Sequence, residues 1–403
     1  MNYYDSETFE LYLYMEDLCC ELCRFEHLAE GVLPQDIRIR QKVDLGKTGA
    51  YADASISLCG ERTYFLEVNW GYDRAEIAER IAYKYESNTP ALGKAHKLRV
   101  VVSDDDSELA SIESTLRACV DPQLEIEVWT APRLREMILR HFQMEVRRFE
   151  REDVLALRSA IEKTKGKYAF GSSYDGSVAQ LMLMWHMGCW TIRRVQQEAN
   201  MTVESVMRKG LYRDAAVLIA DLSGFSGYVR DSPDDSVVQN ALESFYTKTR
   251  REVINCGGML SQFVGDAVVG VFGVPIHFPN YVEHALECAI AIRDIGKSVS
   301  QSWQRHIDRL QTAVGCHTGL AIGDVHLVPL REFTYSHLGL VADAVDIAAR
   351  LGATAQHGEI VLSNALYQRL GKASRAHFVE TDPIEAKNVG RLQGWRWDTG
   401  QGQ

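Results

Sequence analysis

The sequence predicts an α/β fold in two domains joined by helices, and three observations carry that reading. Short apolar strands alternate with amphipathic helical stretches through the first 148 residues. A helical pattern without strands follows to residue 209. From Arg213 the pattern changes again, to the continuous apolar run Ala215–Ala220 and to two β-rich arms, Met259 to Phe272, around Gly265-Asp266. The expected organisation is therefore residues 1–148, an α/β domain; 149–209, a helical connector; and 210–403, a second α/β domain. A chain of 403 residues is too long for one ordinary domain.

Taken in order, Glu7 to Leu28 reads as an amphipathic helix, with Tyr51 to Leu58 and Thr63 to Val68 as strands across a Gly60-Glu61 turn. Ile77 to Glu86 reads as a helix, Lys97 to Val102 as a buried strand, Ser107 to Cys119 as a helix and Leu124 to Trp129 as a strand. Cys19, Cys20 and Cys23 fall within the first helical pattern. No second Cys or His pair at zinc-finger spacing follows, so buried helix cysteines are expected there. The Met- and Trp-rich stretch around Leu181–Ile192 has the spacing of a core or interface helix.

Composition narrows the class. Hydrophobic residues make up 46% and charged residues 25%, the balance of a soluble globular protein. A net charge of -11 argues against a general nucleic-acid binder, while leaving room for a local basic pocket. The start, Met1-Asn2-Tyr3-Tyr4-Asp5, lacks a basic-plus-apolar signal, and Ala179 to Ile192 is too short to span a membrane. Nine cysteines without even spacing suit a reducing compartment. The expectation is a cytoplasmic protein with neither membrane nor nucleic-acid partner.

The chemistry gathers in the second α/β domain. Asp221 ends the apolar run and opens Asp221-Leu222-Ser223-Gly224-Phe225-Ser226-Gly227; alone it reads as an N-cap or turn residue. Asp266 alone reads as hairpin turn chemistry. Together, a strand-end Asp before a Gly-rich helix start and an Asp at a hairpin tip can bring two carboxylates to one edge. Hard oxygen ligands beside exposed backbone N–H groups suit magnesium carrying phosphate. Val345 to Leu351 is helical by spacing, and Asp346 and Arg350, four apart, share one face; a surface ion pair is the plain reading.

These segments ("LIADLSGFSGY", "QFVGDAVVGVFG", "CHTGLAIGDV", "AVDIAARLGATAQHGEIVLSNALYQRL") and a late Lys387 resemble the class III adenylyl and guanylyl cyclases, in the family's order, over residues 213–395. The resemblance implies a ferredoxin-like α/β domain that acts as a head-to-tail homodimer, with active sites at the interface and two Mg2+ or Mn2+ ions in each. It implies a nucleoside triphosphate as substrate. It makes Asp221 and Asp266 the metal-binding carboxylates, with the Leu222 carbonyl as a further ligand. The backbone at Gly224, Phe225 and Ser226 would cradle the triphosphate, Arg350 would meet the transition state, and Lys387 would bind triphosphate, although Asn388 replaces the Gly that usually follows.

Departures from the family are informative. The lysine that helps adenylyl cyclases select adenine, four residues before the second metal Asp, is Gln262 here, and the second base-reading position falls near Gly339. Asp346 stands where the family has Asn, an acceptor-only group in place of an amide donor, and is expected to pair with Arg350 and orient it. Loss of purine readers with retention of metal ligands and arginine resembles the Pycsar pyrimidine cyclases of bacterial anti-phage defence, which make cyclic UMP or cyclic CMP to activate an effector. A glutamine amide can match either uracil or cytosine. The expectation is a pyrimidine cyclase, UTP before CTP; the alternatives are a purine cyclase with an atypical base pocket and a degenerate nucleotide-binding module.

In the first domain, Asp53 on one strand and Glu67-Val68-Asn69 on the next resemble a restriction-endonuclease-like core. Asn69 occupies the position of the catalytic lysine and cannot carry its charge. A regulatory domain rather than a nuclease is expected.

Overall fold

A computed structural model describes residues 6–59, 63–200, 202, 207–232, 235–304, 314–329, 338–386 and 390–398. The chain divides into two compact units, Met1–Lys165 and Gly166–Gln403. The division falls inside the helix Arg151–Phe170. The Gly60-Glu61 turn and Lys387 lie outside the described residues.

The N-terminal unit begins with helix α1 (Ser6–Ala29), followed by strands β1 (Ile37–Asp44), β2 (Tyr51–Leu58) and β3 (Thr63–Asn69). Helix α2 (Arg74–Tyr85), β4 (Ala95–Val102), α3 (Leu109–Cys119), β5 (Glu125–Trp129) and α4 (Ala131–Phe142) complete it, and α5 (Arg151–Phe170) crosses the division. The sheet runs in chain order β1-β2-β3-β4-β5. The first three strands form an antiparallel meander, and the last two are added in parallel through crossover helices. Helix α2 starts earlier than its apolar pattern indicates, because Asp73 and Glu76 form a reciprocal capping box. Cys19, Cys20 and Cys23 are buried on α1 and form no disulfide. Among the described residues no group of three or more His, Cys, Asp or Glu side chains converges as a metal cage would.

The C-terminal unit opens with α6 (Val178–Ala199), which is broken at Gly188, where φ is 71° and ψ 156°. A Cβ at Gly188 would lie 2.2 Å from the Ile254 side chain, so only glycine fits. The carbonyls freed by the break do not go unpaired: Arg250 donates to those of Met184 and Trp185, at 3.0 Å each.

Then come β6 (Gly210–Leu222), α7 (Phe225–Asp231), α8 (Asp235–Asn255), β7 (Met259–Val264), β8 (Ala267–Phe272) and α9 (Tyr281–Gln304). They are followed by β9 (Cys316–Pro329), β10 (Leu338–Val341), α10 (Asp343–Thr354), β11 (Ile360–Ser363) and β12 (Phe378–Glu380). The hairpin β13 (Ile384–Ala386) and β14 (Gly390–Leu392) precedes the last strand, β15 (Gly394–Trp397).

The main sheet has the order β12-β15-β11-β9-β6-β8-β7, with β10 paired to the far end of β9. Its centre is buried on both faces. Ala216, Leu218 and Ala220 of β6 point into one core with α8 and α9 residues such as Phe245, Leu286 and Ile292. Ala215 and Val217 point into the other, shared with Met187 and Ile192 of α6 and Ala344 and Ala348 of α10. This two-sided burial explains why the β6 sequence is continuously apolar rather than alternating. No helix among the described residues is long and apolar enough to cross a membrane.

Candidate active site

The site grows from the end of β6 and the tip of the β7–β8 hairpin. In the ladder, Asp221 stands opposite Ala267 of β8 on one side and His317 of β9 on the other. Gly265 takes the tip of the hairpin in the left-handed region, φ 59°, which lets the chain reverse and present Asp266. The Leu222 amide then donates to the Asp266 carbonyl at 3.3 Å, tying the tip to the end of β6.

The result is two carboxylates facing each other. Burial pushes the Asp221 carboxyl up to about 6, and the neighbouring Asp266 adds to the rise through its charge and a shared hydrogen bond. His317 pulls in the opposite direction. Its Nδ1 lies 2.7 Å from the Ala355 carbonyl, which fixes the ring beside the pair. Among the described residues no lysine or arginine is ion-paired with Asp221 or Asp266. Two facing carboxylates attract cation charge. The donor set also fits a hard divalent ion that keeps open positions for phosphate oxygens and water.

Beside the pair, Gly224 at φ 74° turns the chain into the start of α7. Phe225 is buried, its ring 5.7 Å from that of Trp303, which anchors the turn, and Ser226 is exposed. The first N–H groups of a helix have no partner within it, so this turn can offer amides to an anion. Ser223 is fully buried with its hydroxyl unpaired, while its amide donates to the Gly315 carbonyl at 2.9 Å.

Arg350 is carried by α10, and the helix is pressed onto β9. A Cβ on Gly319 would fall 1.9 Å from the Ala348 carbonyl and 2.5 Å from the Gly352 amide. The Arg350 Nε is buried without a hydrogen-bond partner. The expected ion pair with Asp346 does not form. Asp346 is exposed in the first turn of α10, where solvent and the helix N-terminus already accommodate a carboxylate.

Gln262 is exposed on β7, paired with Val269 immediately after a register shift that follows Leu260. Gly339 lies on β10 opposite Val328. The structure thus brings Asp221, Leu222, Asp266 and the Gly224–Ser226 turn together, and places Arg350 on a separate helix. Two neighbours escaped the sequence reading. His317 stood inside the quoted "CHTG" motif without being singled out, and Tyr246 gives no signal in sequence because it reaches the site across the α8–β7 packing.

A two-carboxylate edge, a glycine turn and an arginine-bearing helix thus occur together in this α/β domain. Residues 207–397 match the family model of the adenylate and guanylate cyclase catalytic domain. The chain is 26% identical over 183 residues to the human guanylate cyclase soluble subunit beta-2, covering 45% of this chain and 28% of that protein. It is 27% identical over 188 residues to an adenylate cyclase of Mycobacterium tuberculosis (strain ATCC 25618 / H37Rv), covering 46% of this chain and 39% of that one. It therefore spans well under half the length of these curated relatives. Among solved structures, the adenylyl cyclase CyaB from P. aeruginosa is similar at 19% identity and a TM-score of 0.41, covering 47% of this chain and 95% of that one.

Proposed function

We propose that the protein is a nucleotide cyclase that converts a pyrimidine nucleoside triphosphate, UTP ahead of CTP, into its 3′,5′-cyclic monophosphate and pyrophosphate. The observation that carries the cyclase reading is the carboxylate pair Asp221 and Asp266 beside the Gly224 turn, with no lysine or arginine ion-paired to it among the described residues; the pyrimidine choice rests on Gln262. In this reading Asp221, Asp266 and the Leu222 carbonyl hold two Mg2+ or Mn2+ ions. When bound, these would acidify the ribose 3′-hydroxyl and stabilise the departing pyrophosphate. The 3′-oxygen bonds to the α-phosphorus, the bond to the β-phosphate bridge breaks, and the hydroxyl proton passes to solvent.

The chain's own residues then position and stabilise charge. Amides of Gly224, Phe225 and Ser226 receive phosphate oxygens, with Lys387 supplying a further positive charge. Arg350 meets the charge that develops on the α-phosphate, across a homodimer interface. Its unpaired Nε is consistent with a partner outside its own protomer. Asp346, exposed and not ion-paired with Arg350, would accept a hydrogen bond from the ribose. Gln262 reads the base edge, with Gly339 leaving space opposite. The cyclic product serves as a second messenger to an effector in anti-phage defence, and residues 1–148 act as a regulatory domain in the cytoplasm.

A purine cyclase is the second reading, because the human and mycobacterial relatives are named for guanylate and adenylate. An equimolar mixture of ATP, GTP, CTP and UTP with Mn2+, followed by mass spectrometry, separates the two. Cyclic UMP or cyclic CMP supports the first; cyclic AMP or cyclic GMP establishes the second. Gln262→Lys is expected to shift the product ratio toward a purine in the first case only.

A further inference from the structure

We infer that Tyr246 is a positioning residue that sets the affinity of the carboxylate pair for divalent cations. This rests on the reading of Asp221 and Asp266 as cation ligands.

The hairpin tip that carries Asp266 is held from two directions. On one side the Leu222 amide donates to the Asp266 carbonyl. On the other, the Tyr246 hydroxyl donates to the Gly265 carbonyl, one residue before the carboxylate. Tyr246 comes from α8, and its ring is stacked on Phe263 of β7, centroids 4.2 Å apart and planes within 27°. The stack fixes where the hydroxyl points, and the hydroxyl fixes the tip.

The tip needs this. Gly265 is a glycine in the left-handed region with nothing within 4 Å of where its Cβ would be. No side chain of its own can lock it, and glycine leaves the backbone free to swing. Two carboxylates must be held at a separation the ions accept, against their mutual repulsion. A partner of the backbone beside a ligand does what the outer hydrogen bonds of a metal site do elsewhere: it orients the ligand without touching the ion. Tyr246 and Phe263 together therefore form a brace for one metal carboxylate. Because β7 also carries Gln262, the same brace steadies the strand from which the base is read.

The test is Mn2+ affinity of the full-length protein, read from the free-ion electron paramagnetic resonance signal, for the natural chain, Tyr246→Phe and Tyr281→Phe. Tyr246→Phe keeps the ring stack and removes only the hydroxyl. Tyr281→Phe is a control, since that hydroxyl donates to the Asp214 carbonyl elsewhere in the unit. Tyr246→Phe is expected to bind Mn2+ about tenfold more weakly, near the lower end of what such outer partners contribute, with an unchanged metal-free melting temperature. In turnover, the Mn2+ concentration for half-maximal rate should rise by the same factor while kcat at saturating Mn2+ stays within about twofold. Tyr281→Phe should match the natural chain. Equal Mn2+ affinity in Tyr246→Phe and the natural chain overturns the inference, as does a loss shared with Tyr281→Phe. If the natural chain binds Mn2+ more tightly than Tyr246→Phe but makes no cyclic nucleotide, the cyclase reading fails and the brace stands.

Discussion

Each unit sets carboxylates on two neighbouring strands, and the two differ in whether lysines accompany them. In the N-terminal unit, Asp53 of β2 and Glu67 of β3 are almost wholly buried, yet each has a lysine. Lys42 bonds Asp53 at 2.6 Å and also Glu16, and Lys84 bonds Glu67 at 2.7 Å, with the Tyr85 hydroxyl 2.6 Å from the same carboxylate. Burial favours the neutral Asp53, but Lys42 overrides it and holds the group below the usual carboxylate range. In the C-terminal unit, Asp221 and Asp266 have no such lysine among the described residues, and Asp221 is pushed up instead. A carboxylate neutralised from within is part of the scaffold; one left without a counter-charge is available to a ligand.

The contrast also bears on the restriction-endonuclease-like resemblance. The charge that a metal would supply is already supplied by Lys42 and Lys84, so Asp53 and Glu67 are poor candidates for a cation site. The arrangement has its own cost. Lys42 adopts φ 53°, a left-handed backbone that costs a non-glycine residue about 1 kcal/mol or more. Asn69, fully buried, leaves both side-chain polar atoms unpaired. The position that resembles a catalytic lysine is thus a silent amide.

Substitutions can sharpen or break this comparison. The largest expected effect is on turnover: Asp221→Asn should abolish cyclic nucleotide formation, yet leave the metal-free melting temperature equal or higher, because it removes one of two facing like charges. The mirror experiment is Lys42→Met, which strands Asp53 and Glu16. It should destabilise the N-terminal unit by about 3–5 kcal/mol in urea denaturation, the usual loss when one partner of a buried pair is removed. The double change Lys84→Met with Glu67→Gln should be milder than Lys84→Met alone, since no buried charge is then left unpaired.

Acid separates the units next. The depressed Asp53 contributes stability that is present above the ordinary carboxylate range and lost as pH falls below that range toward its lowered value. The raised Asp221 has the opposite sign: its contribution is fully present below about 4 and is lost as pH climbs through about 6. Mn2+ affinity should accordingly rise by up to about tenfold per pH unit below that point and level off above it, measured by titration calorimetry. The smallest effect is expected at Gly319→Ala, which pushes α10 away from β9 and should lower stability by about 1–3 kcal/mol, as overpacking does.

Much of this was legible in the sequence, for physical reasons. The β6 run and the hairpin around Gly265-Asp266 announced themselves, because apolar continuity and turn chemistry are local signals. Helix α10 was visible from its spacing. Strand β1 was not singled out, since Ile37–Asp44 is rich in charged residues; its Lys42 is spent on a partner 11 positions later. Helix α4, with Pro132 in its first turn, emerges only in the structure. The Asp346–Arg350 pair was expected from spacing alone, and spacing cannot tell whether solvent already satisfies one member. Tyr246 was beyond reach of the sequence because its role depends on where α8 lies against β7.

The most direct test incubates full-length protein with Mn2+ and each of the four nucleoside triphosphates, comparing the natural chain, Asp221→Asn and Glu67→Gln by mass spectrometry. The account predicts a 3′,5′-cyclic pyrimidine nucleotide from the natural chain and from Glu67→Gln, and none from Asp221→Asn. Product that persists in Asp221→Asn, or that vanishes in a folded Glu67→Gln, would contradict it.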